Sequence, residues 1–321
     1  MTDLFTTSAA AVLVVAFGVG IVVGLTGMGG GALMTPALIF LNVPPSAAVA
    51  NDLVAASVNK SVGASVHWRN GSPNLKLAGL LITGSVPFAF AGAFIVKEFG
   101  GKSSEEFLVN AIGCALLFTA ATYTLRMYLQ LRMVTMGNVA PPETVNIKPV
   151  RTLLVGAFGG LLVGITSVGS GSLIMVALLL LYPTLSALRL VGTDLVQAVP
   201  LVLSAAIGHV IVTGVDWNVL IPLIVGGTPG TFLGARLAHW VSQSVIRRGI
   251  VIVLTLTGLK MLGVSPEAVG MIGAGLLLLG PLAWGFVRQT RGLPAFDNNS
   301  GAWRLPERES ISPTGKSEPP A

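Results

Sequence analysis

The chain has 321 residues, of which 53% are hydrophobic and only 10% charged. Soluble domains carry about 25% charged residues, so composition excludes a soluble enzyme, and the mean hydropathy of +0.82 agrees. The net charge of +6 does not point to nucleic acid, because the Lys and Arg residues fall in short loops and the tail rather than on one face.

In chain order, apolar segments run over 9–41, 46–66, 77–96, 106–129, 152–181, 187–212, 218–238, 245–263 and 267–287. Runs of about 20 apolar residues read as membrane-spanning helices. The expected class is therefore all-α and polytopic. Before the first segment, Met1 to Ser8 carry no Lys or Arg, so this stretch reads as mature chain rather than a secretory leader. Trp68, Trp217, Trp240 and Trp284 sit at or near segment ends, where interfacial tryptophans belong. The single cysteine, Cys114, lies within an apolar run and reads as a packing residue; no disulfide framework is possible. Residues 133–150 form a polar, proline-bearing linker, and 289–321 read as a disordered tail.

Two segments, 9–41 and 152–181, are too long for one span and too short for two. Each is interrupted by glycine: Gly24 to Gly31 reads GLTGMGGG, and Gly164 to Gly171 reads GITSVGSG. Such runs break helices, since glycine costs about 1 kcal/mol relative to alanine in a helix interior.

The two breaks begin an internal duplication. Gly20, Gly24, Thr26, Gly29, Gly31 and Leu33 match Gly160, Gly164, Thr166, Gly169, Gly171 and Leu173 at constant offset. After a two-residue shift, Asp52-Leu53-Val54 matches Asp194-Leu195-Val196, His67 matches His209, and Gly84, Pro87, Gly92 and Ala93 match Gly226, Pro229, Gly234 and Ala235. The expected organisation is a first transmembrane repeat over 9–132, the 133–150 linker, a second repeat over 151–263, and an extra span over 264–288. If each broken segment enters and leaves on one face, each repeat crosses three times and the second is inverted. The loop with Arg69 and Lys76, the linker region with Arg126, Arg132, Lys148 and Arg151, the loop with Arg236, Arg247 and Arg248, and the tail with Arg288 and Arg291 then all face the cytoplasm. The Lys- and Arg-poor N-terminus and the Asp216 loop face outward. This satisfies the positive-inside rule, whereas parallel repeats would strand Arg247 and Arg248 outside. Inverted repeats with broken helices are a recurring transporter architecture.

The chemistry expected of the breaks follows from free backbone N–H groups at a helix start, which favour an anion. Gly27, Gly29, Gly30 and Gly31 in the first break, and Gly169 and Gly171 in the second, allow close approach to the backbone. Thr26, Thr166, Ser167, Ser170 and Ser172 add hydroxyls. Two breaks face to face would form a neutral cradle; the structural reading is close helix packing through small residues. Asp52 and Asp194 are the acidic residues that fall well inside apolar segments, and Lys60 is the clearest buried base; a charge there is costly and functional by default. Asp52 and Lys60 lie about 80° apart around a helix, too far for direct contact. Lys60 reads as an attractor for the anion. The two Asp residues read as carriers of a coupling proton, as ties on the broken segments, or as a structural network. His67 and His209 read as interfacial anchors or proton relays. Asn51, Asn59, Thr193, Gln197 and Ser204 read as pathway-lining, and Pro87 and Pro229 as kinks.

The duplicated break, together with VGTDLVQAVPLVLSAAIGHVIVTGVDW at 191–217 and the Gly-Gly-Thr-Pro-Gly run at 226–230, resembles the TauE/SafE sulfite-exporter family, also called the toluene sulfonate uptake permease family. The resemblance covers roughly 10–263 and implies secondary transport of a sulfur oxyanion or organosulfonate, such as sulfite, across the bacterial cytoplasmic (inner) membrane. The chain departs from the commoner family pattern in carrying Asn51-Asp52 and Thr193-Asp194 where neutral pairs are usual. No catalytic motif, metal or cofactor is expected. The expected partners are a small anion, the lipid bilayer and a coupling proton or sodium ion, and a homo-oligomer is compatible. Transport of a different ion through the Asp pair, or a non-transporting membrane partner, are the alternatives.

Overall fold

The computed structural model describes residues 7–26, 30–70, 73–100, 104–135, 147–169, 171–183, 185, 187–237, 240 and 243–290. All regular elements among them are helices: α1 (Thr7–Thr26), α2 (Gly31–Phe40), α3 (Pro45–Asn70), α4 (Leu75–Gly100), α5 (Ser104–Thr135), α6 (Pro149–Thr166), α7 (Ser172–Leu181), α8 (Ala187–Val212), α9 (Trp217–Leu237), α10 (Gln243–Met261) and α11 (Pro266–Gln289). The nine apolar segments of the sequence appear as these helices, and the two glycine-interrupted ones appear as the pairs α1–α2 and α6–α7. The tail beyond Thr290, most of the linker, and Gly27, Gly29 and Ser170 lie outside the described residues, as do the side chains of His67 and Ser172.

Seven helices among the described residues are long and apolar enough to cross a membrane: α1, α4, α5, α6, α8, α9 and α11. Their outer faces carry Phe17, Phe88, Phe118, Phe158, Ile211 and Phe232, all exposed. Contiguous apolar surface on this scale needs lipid around it. The 26 residues of α3 also suffice to span, at about 39 Å, but Asn51, Asp52, Asn59 and Lys60 lower its hydropathy. Neighbours on several sides, chiefly α8, α2 and α9, shield it.

Each broken segment folds back on itself. In the second half, the Tyr182 hydroxyl at the end of α7 meets Thr152 Oγ1 at the start of α6 (2.6 Å) and accepts the Lys148 N–H (3.0 Å). In the first half, Met34 and Leu38 of α2 share a buried cluster with Val12 and Ala16 of α1. The turn of the second hairpin uses two left-handed residues: Ser167, with φ 60, closes α6 through its N–H on Val163 O (2.8 Å), and Gly169 has φ 98.

The two halves then interlock. The most extensive pairings are α1 with α9 and α4 with α6, and each pair runs parallel with glycine at the seam. A Cβ on Gly226 would fall on Leu13 O, and one on Gly84 would fall on Leu153 O. The same correspondence links Gly20 against Gly227 O with Gly160 against Ser85 O, and Gly24 against Thr231 O with Gly164 against Ala89 O. These equivalent approaches occur at positions the sequence repeat aligns. Small residues at such seams let backbones meet closely, which drives packing where lipid removes the hydrophobic drive between helices. The matching helices α3 and α8 run antiparallel: the Asn74 N–H just past α3 donates to Thr193 Oγ1 near the start of α8 (3.0 Å). Ser46 at the start of α3 donates twice to Glu105 at the start of α5 (3.0 and 2.5 Å), so these helices begin on one side. Helix α11 packs on α10, with Gly273 against Leu256, and turns Met271, Leu278, Leu279 and Phe286 outward.

Enlarging a seam glycine should therefore push two helices apart. Gly164→Val is expected to destabilise the protein by about 1–3 kcal/mol, read as a lower melting temperature in detergent. Gly18→Ala, inside α1 where an added Cβ meets nothing within 4 Å, should not lower the melting temperature and should raise it slightly.

Candidate functional site

The hairpin tips meet. A Cβ on Gly31, the first residue of α2, would sit on the Ser167 carbonyl at the turn between α6 and α7. Glycine is needed there because the two backbones are in direct contact. Neither α2 nor α7 has a side-chain cap at its start, where Gly30 and Gly171 stand. An uncapped helix start leaves backbone N–H groups and the positive end of the dipole directed at the junction.

Asp52 of α3 lies against this junction and is 2% exposed. Its Oδ2 accepts from Thr35 Oγ1 of α2 (2.6 Å) and from Ser167 Oγ of the opposite hairpin (2.7 Å). One carboxylate oxygen thus ties α3, the first hairpin and the tip of the second. The tie on the broken segments runs through hydroxyls rather than backbone N–H groups. It also engages Ser167, a hydroxyl expected for the anion. Thr26 and Thr166 likewise turn back on their own helices, to Val22 O (2.8 Å) and Leu162 O (2.7 Å). Thr166 Oγ1 also accepts the Val168 N–H in the turn (3.1 Å).

Asp194, the repeat counterpart of Asp52, is 7% exposed and accepts from Gln197 Nε2 (3.0 Å) on its own helix. The repeat explains the difference. The position matching Thr35 is Met175, and the position matching Ser167 is Gly27, so neither counterpart offers Asp194 a hydroxyl. Lys60, half-buried on α3, lies within electrostatic range of both Asp52 and Asp194. The three intramembrane charges singled out by the sequence therefore form one group across the α3–α8 contact.

The remaining residues divide. Asn51 is fully buried; its amide donates to Ala47 O (2.8 Å), while its Oδ1 has no hydrogen-bond partner. Asn59 accepts from Thr228 Oγ1 of α9 (3.0 Å), so it bridges helices instead of facing the charged group. Thr193 holds the α3–α4 turn through Asn74, and Ser204 donates to Val86 O of α4 (2.8 Å). His209 is 1% exposed, which corrects its reading as an interfacial anchor. Its Nε2 lies 2.7 Å from Gly164 O, one turn before the second break. Since a carbonyl only accepts, Nε2 carries the proton. Thr35 was missed from sequence: a lone hydroxyl in an apolar ten-residue helix carries no pattern that distinguishes it from packing.

The TauE/SafE sulfite exporter family model matches residues 12–261. The chain belongs to this family. It is 35% identical over 247 residues to the "Probable membrane transporter protein YjnA" of Bacillus subtilis (strain 168), covering 76% of this chain and 96% of that protein. It is 27% identical over 255 residues to the "Probable membrane transporter protein YdhB" of the same organism, covering 78% and 99%. A "Probable membrane transporter protein" of Xylella fastidiosa (strain 9a5c) is 27% identical over 236 residues, covering 70% and 83%. No solved structure matches. This TauE/SafE protein is thus a multi-pass membrane transporter, and α11 lies beyond the family match.

Removing the Asp52 carboxylate should leave two buried hydroxyls without an acceptor. Asp52→Ala is expected to cost about 1–3 kcal/mol, seen in thermal unfolding of the detergent-solubilised protein. Asp52→Asn keeps an acceptor oxygen and should lose less than half as much. An unchanged melt for the alanine variant would remove the tie from this account.

Proposed function

We propose that this protein is a secondary transporter of a small sulfur oxyanion or organosulfonate, such as sulfite, in the bacterial inner membrane, and that its halves are inverted repeats. The observation that carries the reading is the meeting of the two uncapped hairpin tips beside Asp52, with Lys60 within electrostatic range of that carboxylate. The parallel α1–α9 and α4–α6 pairs, the antiparallel α3 and α8, and the back-folded hairpins support the inversion. With hairpins that return to their side of entry and three crossings after each, the second half starts on the face opposite the first. The Lys and Arg distribution then assigns the linker face to the cytoplasm.

In this reading, Gly30, Gly31, Gly169 and Gly171 offer backbone N–H groups to the anion, Gly27, Gly29 and Ser170 complete the two breaks, and Lys60 supplies the balancing charge. Asp52 competes with the substrate. As a carboxylate it takes the Thr35 and Ser167 hydroxyls; once protonated it releases one or both, and these can turn to the anion. Proton binding and anion binding then favour each other, which is a coupling. Asp194, held by Gln197, is the second titrating position in the group. His209 sets the α6 turn before the break. The relatives' printed names support transport and leave the substrate to this proposal.

The test is uptake of radiolabelled sulfite, sulfate, thiosulfate and taurine into proteoliposomes under imposed proton or sodium gradients. Saturable flux of one anion is expected, with kcat/KM at least about tenfold lower in Lys60→Ala. Asp52→Asn should keep exchange of that anion and lose its response to a proton gradient. No flux of any of the four under either gradient would overturn the proposal.

A further inference from the structure

Helices α5 and α10 are pressed together at one level, where an added Cβ on Gly258 would lie 3.0 Å from Gly113 O. About 20 Å further along α5, at 1.5 Å per residue, bulky residues take over. Tyr123 is 3% exposed, and the guanidinium of Arg126 lies 6.0 Å from the centroid of its ring. Arg247, near the start of α10, lies within electrostatic range of both Tyr123 and Arg126. Arg126 Nε is buried with no hydrogen-bond partner. Asp194, a carboxylate within electrostatic range of Arg126, is already bonded to Gln197 and in range of Lys60.

Two guanidinium groups within electrostatic range of each other repel, and a buried guanidinium N–H without an acceptor is costly. Helices satisfy this arrangement readily when an anion with several acceptor oxygens sits between them. Arginine is the residue suited to it, because its planar fork bonds two oxygens at once. Tyr123 adds a phenol at the same level. We propose that Arg126, Arg247 and Tyr123 form a second oxyanion-binding site, at the linker end of α5. It rests on the anion-transport reading only for its role there, as the station from which an oxyanion passes toward Lys60.

The test is equilibrium dialysis of the full-length protein in detergent against radiolabelled sulfate at low ionic strength, with size-exclusion profiles to verify folding. Saturable binding is expected, weakened at least about tenfold in Arg126→Gln, less in Arg126→Lys, which keeps the charge and loses the fork, and retained in Gly18→Ala, remote from both sites. Folded wild-type protein that binds no sulfate saturably, or Arg126→Gln with wild-type affinity, would overturn the site. Binding with this mutant pattern but no anion flux in proteoliposomes would sink the transport reading and leave the site standing. Flux with an unaltered Arg126→Gln would do the reverse.

Discussion

The junction between the hairpins depends on one carboxylate oxygen. A carboxylate placed 2% exposed in a membrane protein persists only if donors surround it, since burying an unpaired charge costs far more than a hydrogen bond returns. Asp52 obtains its donors from two different hairpins, so satisfying it requires that they meet. The meeting in turn requires that Gly31 have no side chain, because the Ser167 carbonyl occupies the space a Cβ would take. It also requires that α6 stop where it does, with Ser167 in the left-handed region. The close seams of α1 with α9 and α4 with α6 hold the outer arms of the hairpins in the matching positions.

The duplication has not kept the two junctions alike. Asp194 stands where the repeat places it, yet its helix-borne Gln197 replaces the ties that Met175 and Gly27 cannot make. One Asp is therefore bound to two hairpins, and the other to its own helix. On the coupling proposed above, protonation would act differently at the two positions: at Asp52 it would release hydroxyls held on two hairpins, whereas at Asp194 it would change a charge within electrostatic range of Lys60.

The helices and their breaks were legible because lipid imposes a length rule and glycine interrupts it: α1–α2 and α6–α7 fall within the two segments of awkward length. The Asp, His and Pro matches of the repeat were legible for the same reason that polar residues are rare in spans. The partners were not. Whether Ser167 donates to a ligand or to Asp52 depends on how the second hairpin lies against α3, more than a hundred residues away in the chain. Arg126 and Arg247 read from sequence as topology signals, since a basic residue near a span end has that explanation ready. Only the packing of α5 on α10 places them beside one another.

Helix α3 shows why the charged group lies where it does. It is long enough to cross the membrane but too polar to qualify as a span beside α4 or α8. Each charge within it would cost about 2.5–3.5 kcal/mol at the centre of a lipid-facing helix. That cost is avoided by enclosing α3 among α2, α8 and α9, whose own outer faces carry the apolar residues that meet lipid. A helix that must be enclosed to exist is also the helix against which the hairpins can close. The same polarity that makes α3 unable to stand in lipid gives the enclosed junction its charges. A change that exposed α3 would therefore disturb stability and ion chemistry together, whereas a change on the outer face of α8 or α9 would disturb neither.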